Sequence, residues 1–154
     1  MISTGQSIID QQIIIYAAPT KQDNGLLPSY GPDGCGYTMR GTFIDRSEIV
    51  EILPFKSVSV KTKEIVEMPN DMAGLLYIKS TYARQGIILV TNAPVDPGYN
   101  GTLTIRLFNS SEKTVKIYTM GGLAMLIVYK LIDSVPSYNG RHQGKYKWMI
   151  NLFH

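Results

Sequence analysis

The chain has 154 residues, of which 44% are hydrophobic and 18% charged, and its net charge is +3. This length fits one domain spanning 1–154, with enough apolar residues for a core, and the small charge excludes a strongly basic nucleic-acid binder, whose cations would gather in a patch or stripe. One cysteine and two histidines exclude a disulfide scaffold and argue against a structural zinc site.

From the N-terminus, residues 1–12 read as an arm or short helix, with Ile8, Ile9 and Ile13 on roughly one face. They lack the basic flank and apolar run of a signal peptide, and no apolar stretch reaches the ~18 residues of a membrane span. The reading is therefore a soluble, cytoplasmic protein with no membrane partner. Residues 13–16 look strand-like, and 19–36, rich in Pro, Gly, Asp and Asn, mark a long loop. Candidate strands follow at 36–43, 48–53, 58–60, 64–67, 75–78, 87–91, 102–108, 115–118 and 124–131. Ten tyrosines and many Ile, Val and Thr suit strands, and their close spacing between turn residues is that of a sandwich, jelly roll or closed barrel. No long amphipathic helix, repeat or linker interrupts them. Residues 136–154 form a C-terminal tail that Trp148 anchors by packing.

Alternation is clearest at 102–107. Leu103, Ile105 and Leu107 share one face, while Thr102, Thr104 and Arg106 share the other. Arg106 therefore acts on the polar side. Common catalytic motifs are missing: there is no phosphate-binding G-x-x-x-x-G-K-[ST] loop, no G-x-G-x-x-G, no H-E-x-x-H and no G-x-S-x-G. Cys35 lies between two glycines with no sequence sign of a paired base. Lys56, Lys61 and Lys63 read as a solvated strand edge, as do Glu64, Glu67 and Asp71. His142 and His154 read as surface or tail histidines.

The informative block runs from 74 to 109, as G-L-L-Y-I-K-S-T-Y-A-R-Q-G-I and then V-D-P-G-Y-N-G-T-L-T-I-R-L-F-N. It resembles the dCTP deaminase/dUTPase superfamily, whose signatures are similar to R-S-S-x-A-R-x-G and I-D-P-G-[FWY]-x-G. The segments G-Y-T-M-R-G at 36–41, G-G-L-A-M-L at 121–126 and Y-N-G-R-H-Q-G at 138–144 resemble further blocks of the deaminase branch, in the right order. The resemblance implies an all-β, dUTPase-like distorted barrel or jelly roll, forming a homotrimer with sites between subunits.

It also implies roles. Lys79 and Ser80 match phosphate-binding positions, Arg84 another functional basic position, and Thr81 keeps a hydroxyl beside them. Asp96 matches a carboxylate that contacts the sugar and, in the dUTPase branch, activates the attacking water. Tyr99 matches an aromatic that stacks on deoxyribose. Tyr138, Arg141 and Gln143 match the ligand-binding tail. On physical grounds, Lys79, Ser80 and Arg84 supply donors and charge suited to a triphosphate, while Pro97 and Gly98 make the tight turn that fixes Asp96.

Four departures bear on activity. Arg106 stands where the deaminase branch has a glutamate acting as general acid/base, and a guanidinium cannot take that proton. Lys79 replaces an arginine, losing bidentate phosphate binding. Met125 replaces a glutamine amide, and the tail after Gly144 lacks a Gly-rich lid. The expectation is a deoxynucleoside triphosphate-binding protein that hydrolyses dUTP, with Mg²⁺ carried by the substrate phosphates, and does not deaminate dCTP, although dCTP remains a possible ligand. The alternative from the same residues is a non-catalytic nucleotide-binding regulator or interaction module.

Overall fold

Period-two alternation and turn residues set the architecture, which a computed structural model describes for residues 1–15, 31–32, 34–42, 49–91, 93–118 and 121–144. In chain order the elements are α1 (Gly5–Asp10), β1 (Ile14–Ile15), β2 (Gly31–Pro32), β3 (Tyr37–Thr42), β4 (Ile49–Ile52), β5 (Ser57–Thr62), β6 (Ile65–Glu67) and β7 (Met72–Ile78). Then come α2 (Ser80–Ala83), β8 (Ile87–Leu89), β9 (Asn100–Gly101), β10 (Thr104–Asn109), β11 (Val115–Tyr118) and β12 (Gly122–Lys130). Most of the loop at 19–36, the end of the tail, Trp148 and His154 lie outside the described residues.

The main sheet runs β7-β12-β3-β5-β10-β8, with β2 added beside β3. Two smaller sheets, β1-β6-β9 and β11-β4, complete a distorted, nearly closed barrel in which every strand pairing among the described residues is antiparallel. Strand β12 serves two cores. Its Leu126 and Val128 pack with Ile8, Tyr37, Met39 and Val66 in one, and its Leu123 and Ala124 with Val60, Ile105, Leu107 and Ile117 in the other. Each fully buried Leu or Ile contributes about 1.5–3 kcal/mol relative to exposure.

The N-terminal arm is helical because the Thr4 hydroxyl accepts from the Ser7 N–H at 3.1 Å and caps it. Ile8 and Ile13 are buried and Ile9 packs against them, as their spacing predicts. No helix among the described residues is long and apolar enough to cross a membrane.

Several expectations need correction. Strand β10 begins at Thr104 and not at residue 102, because side chains take over the backbone just before it. The Thr62 hydroxyl accepts from the Leu103 N–H at 2.9 Å and the Thr102 carbonyl receives the Tyr99 hydroxyl, and Thr102 is buried. Strand β5 lies between β3 and β10, so Lys61 stands on a central strand and not at an edge. Glu64 is the clearest reversal. It is fully buried, its Oε1 2.8 Å from Arg40 Nε and its Oε2 2.9 Å from the Arg40 N–H. Burial pushes the Glu64 carboxyl above its ordinary range, and Arg40 partly offsets that shift. Glu67 is half-buried and accepts from Asn100 Nδ2 at 3.1 Å, whereas Asp71 makes a surface contact to Lys130 at 3.5 Å.

Candidate functional site

The D-P-G-Y segment folds as its composition predicts. The Tyr99 N–H donates to the Asp96 carbonyl at 3.1 Å, and Gly98 adopts φ +77°, the left-handed conformation that the third position of this turn demands. Below it, Val95 and Gly74 exchange two backbone hydrogen bonds of 2.7 and 3.0 Å, so the turn is fastened to β7. Gly74 fits there because a side chain would press on Leu126 and Met68. Asp96 is thus an exposed carboxylate on a firmly held base.

Asp96 borders a cavity of about 500 Å³. Its floor comes from the polar faces of β5 and β10, with Ser59, Lys61, Thr104 and Arg106. These meet because the register places Lys61 opposite Thr104 and Ser59 opposite Arg106. Thr91, Ala93, Pro94 and Val95 form one wall, while Tyr99, Tyr138 and His142 form another. Two cations and one carboxylate therefore face a space of nucleotide size, a balance that favours an anionic ligand.

Arg106 is held at both ends. Its N–H donates to the Thr91 hydroxyl at 2.7 Å, and its Nη2 donates to the Ser57 hydroxyl at 3.0 Å. The Tyr99 hydroxyl donates to the Thr102 carbonyl at 2.5 Å, and its ring lies 5.6 Å from that of Tyr138. Burial, reinforced by Tyr138, pushes the Tyr99 phenol up to about 12.

The site residues predicted from sequence divide into three places. Asp96, Tyr99, Arg106 and Tyr138 share the cavity. Lys79, Ser80, Thr81 and Arg84 lie together at the end of β7 and on α2, and none of the four lines it. Tyr82, buried, fixes that helix by accepting from the Tyr118 N–H at 3.1 Å through its hydroxyl. Arg141 is exposed with its Nε 3.3 Å from His142 Nε2, and the Gln143 amide bonds the backbone of Gly98, Asn100 and Tyr138. Met125 is half-buried, its sulfur 3.8 Å from that of Cys35.

Sequence reasoning missed Ser59, Lys61, Thr91 and His142 as cavity residues. The available signal was the two-residue period that puts Ser59 and Lys61 on one face, but knowing which strand lay opposite required the fold. Short helix α2 was missed too, since four residues give no helical period.

Comparison with known proteins decides the family. A model of the dCTP deaminase-like family matches residues 39–131. This chain belongs to that family. Similar relatives include a dCTP deaminase of Ehrlichia canis (strain Jake), 31% identical over 168 residues that cover 94% of this chain and 89% of the relative. Another, a dCTP deaminase of Pyrobaculum islandicum, is 30% identical over 159 residues, covering 94% and 87%. Among solved structures, the EIAV dUTPase superposes with a TM-score of 0.58 at 15% identity, over 84% of this chain and 97% of that one. A variant dUTPase of Staphylococcus aureus phage phi11, whose structure details the coordination of a structural Mg(II) ion, gives 0.56 at 17% identity, over 81% and 91%. At these identities the structures speak for the fold: an all-β barrel of the dUTPase kind. Together the comparisons place the chain in a superfamily of nucleotide-processing proteins.

Proposed function

We propose that this protein binds a deoxynucleoside triphosphate and hydrolyses dUTP to dUMP and pyrophosphate without deaminating dCTP. One observation carries the reading: Asp96, held on its turn, and Arg106 face the same cavity. The carboxylate can orient a water and accept its proton. The guanidinium, positioned by Ser57, has donors and no acceptor, so it cannot move a proton as a carboxylate would. Tyr99 and Tyr138 give the cavity an aromatic wall for the nucleoside.

Lys79, Ser80, Thr81 and Arg84 would meet the phosphates from a neighbouring subunit, which is why they stand apart from the cavity in a single chain. This reading makes the protein a homotrimer with shared sites. Arg141, next to the cavity residue His142, would add positive charge for the phosphates. Among the described residues no three His, Cys, Asp or Glu side chains gather to hold a metal. That donor set fits Mg²⁺ carried by the substrate phosphates, with Asp96 as the nearest carboxylate, since this ion binds through one or two carboxylates plus phosphates. When bound, it would neutralise charge on the phosphates.

A second reading, a nucleotide binder without turnover, draws on Met125. A thioether packed near Cys35 offers no amide to a phosphate. Pyrophosphate release from a panel of dNTPs with Mg²⁺, run beside Asp96→Asn, separates the two. Turnover of dUTP that falls by about 10²-fold or more in the variant supports hydrolysis. No turnover of any nucleotide by the wild type favours the binder.

A further inference from the structure

The turn bearing Asp96 is held largely from outside itself. Residues 135–144 cross over it as a strap. The strap starts at the corner before β7, where the Val135 N–H and the Ser137 hydroxyl reach the Asn70 carbonyl at 3.0 Å and Asn70 Oδ1 at 2.7 Å. It then lies so close to the turn that a Cβ on Gly98 would sit 2.6 Å from Ser137 Cα. The Tyr138 N–H donates to the Pro97 carbonyl at 2.9 Å, and the Gly144 N–H donates to the Asn100 carbonyl at 2.7 Å.

The Met68 backbone also holds the turn, accepting from the Gly98 N–H at 2.9 Å and donating to the Tyr99 carbonyl at 2.8 Å, and Gln143 adds side-chain ties. Its Oε1 accepts from the Asn100 N–H at 2.7 Å, and its Nε2 donates to the Gly98 carbonyl at 2.9 Å and the Tyr138 carbonyl at 3.1 Å. Both amide donors are thereby engaged within the protein, with no donor left for a ligand. One side chain thus grips the turn on both sides of Tyr99 and also grips the strap. Asn100, in turn, is fastened on its other side to Glu67.

We propose that Gln143 is a positioning residue: by clamping Gly98 and Asn100 to the strap, it sets where Asp96 and Tyr99 stand in the cavity. The turnover part of this inference rests on the hydrolytic reading above; the clamp itself does not.

The test uses the full chain as wild type, Gln143→Ala and Gln143→Asn, the last being one methylene too short to hold both ends. Two readouts are taken: the ¹³Cζ resonance and titration of Tyr99, assigned with Tyr99→Phe, and kcat and KM for dUTP with Mg²⁺. In Gln143→Ala the Tyr99 resonance should shift and its phenol should titrate below its wild-type value, because the ring loses burial. The kcat should fall roughly 10- to 100-fold, by a larger factor than KM changes, as expected for a displaced reacting group. Gln143→Asn should fall between the two.

If the wild type hydrolyses no nucleotide, the hydrolytic reading fails while the Tyr99 signal still judges the clamp. An unchanged Tyr99 in Gln143→Ala would overturn the inference. So would a shifted Tyr99 with unchanged kcat in an active wild type. Failure of both variants to fold would reduce Gln143 to a structural role and overturn it as well.

Discussion

A carboxylate at position 106 could accept and return a proton in general acid–base catalysis, whereas the guanidinium of Arg106 has donors and no acceptor. The Ser57 hydroxyl and the Thr91 tie fix it in the cavity, so the difference bears on whatever is bound there. The purified protein with dCTP and Mg²⁺ should therefore release no ammonia beyond the spontaneous background, read by a coupled ammonia assay. Release above background would mean that another group takes the proton, and the reading of Arg106 would be wrong. At this scale the sequence was informative. Alternation put Arg106 on the polar face, and the D-P-G-Y string located Asp96 and Tyr99. Ser59 and Lys61 stayed hidden because a residue's role in a cavity depends on the strand opposite, and β5 meets β10 from more than forty residues away in sequence.

Between elements, the Arg40–Glu64 pair joins β3 to the corner ahead of β6. Alternation could not reveal it. A glutamate beside two lysines reads as solvated until its partner, distant in sequence, is known. Side-chain exposure is 11% for Arg40 and zero for Glu64, so removing the cation leaves a carboxylate sealed from water. Lys63 beside it is half-buried, its ammonium pushed below its ordinary pKa first by burial and then by Arg40, with Glu64 acting in the opposite sense. The sign follows from proton uptake. Because the folded-state pKa of Glu64 lies above its ordinary value, the folded state binds the proton more tightly than the unfolded chain does. Stability from this group therefore falls as pH rises from the ordinary carboxylate pKa through the folded one. Arg40→Met removes the offset and raises that pKa further. The variant should lose about 3–5 kcal/mol at pH 7 and clearly less at pH 5, measured by urea unfolding. Equal losses at the two pH values would show that Glu64 finds solvent or another partner once Arg40 is gone.

For the whole molecule, the decisive fact is separation. The cavity holds Asp96, Tyr99 and Arg106, while Lys79, Ser80, Thr81 and Arg84 stand elsewhere on the same chain. Short strands with turns between them made the barrel readable in advance, but no pattern within one chain can state which surface of a second copy completes a site. If sites form between subunits of a cyclic trimer, Asp96→Asn damages one side of each site and Arg84→Ala damages the other. Each variant alone should be inactive in dUTP hydrolysis. Co-expressed in equal amounts, they assemble at random, and a site is intact only when the first subunit keeps Asp96 and its neighbour keeps Arg84. About a quarter of sites meet both conditions, so activity should return to roughly a quarter of wild type. A trimeric mass by light scattering should accompany it. If both variants fold and co-assemble but no activity returns, the cavity in each chain works without its neighbour's basic cluster, and the shared-site arrangement is wrong.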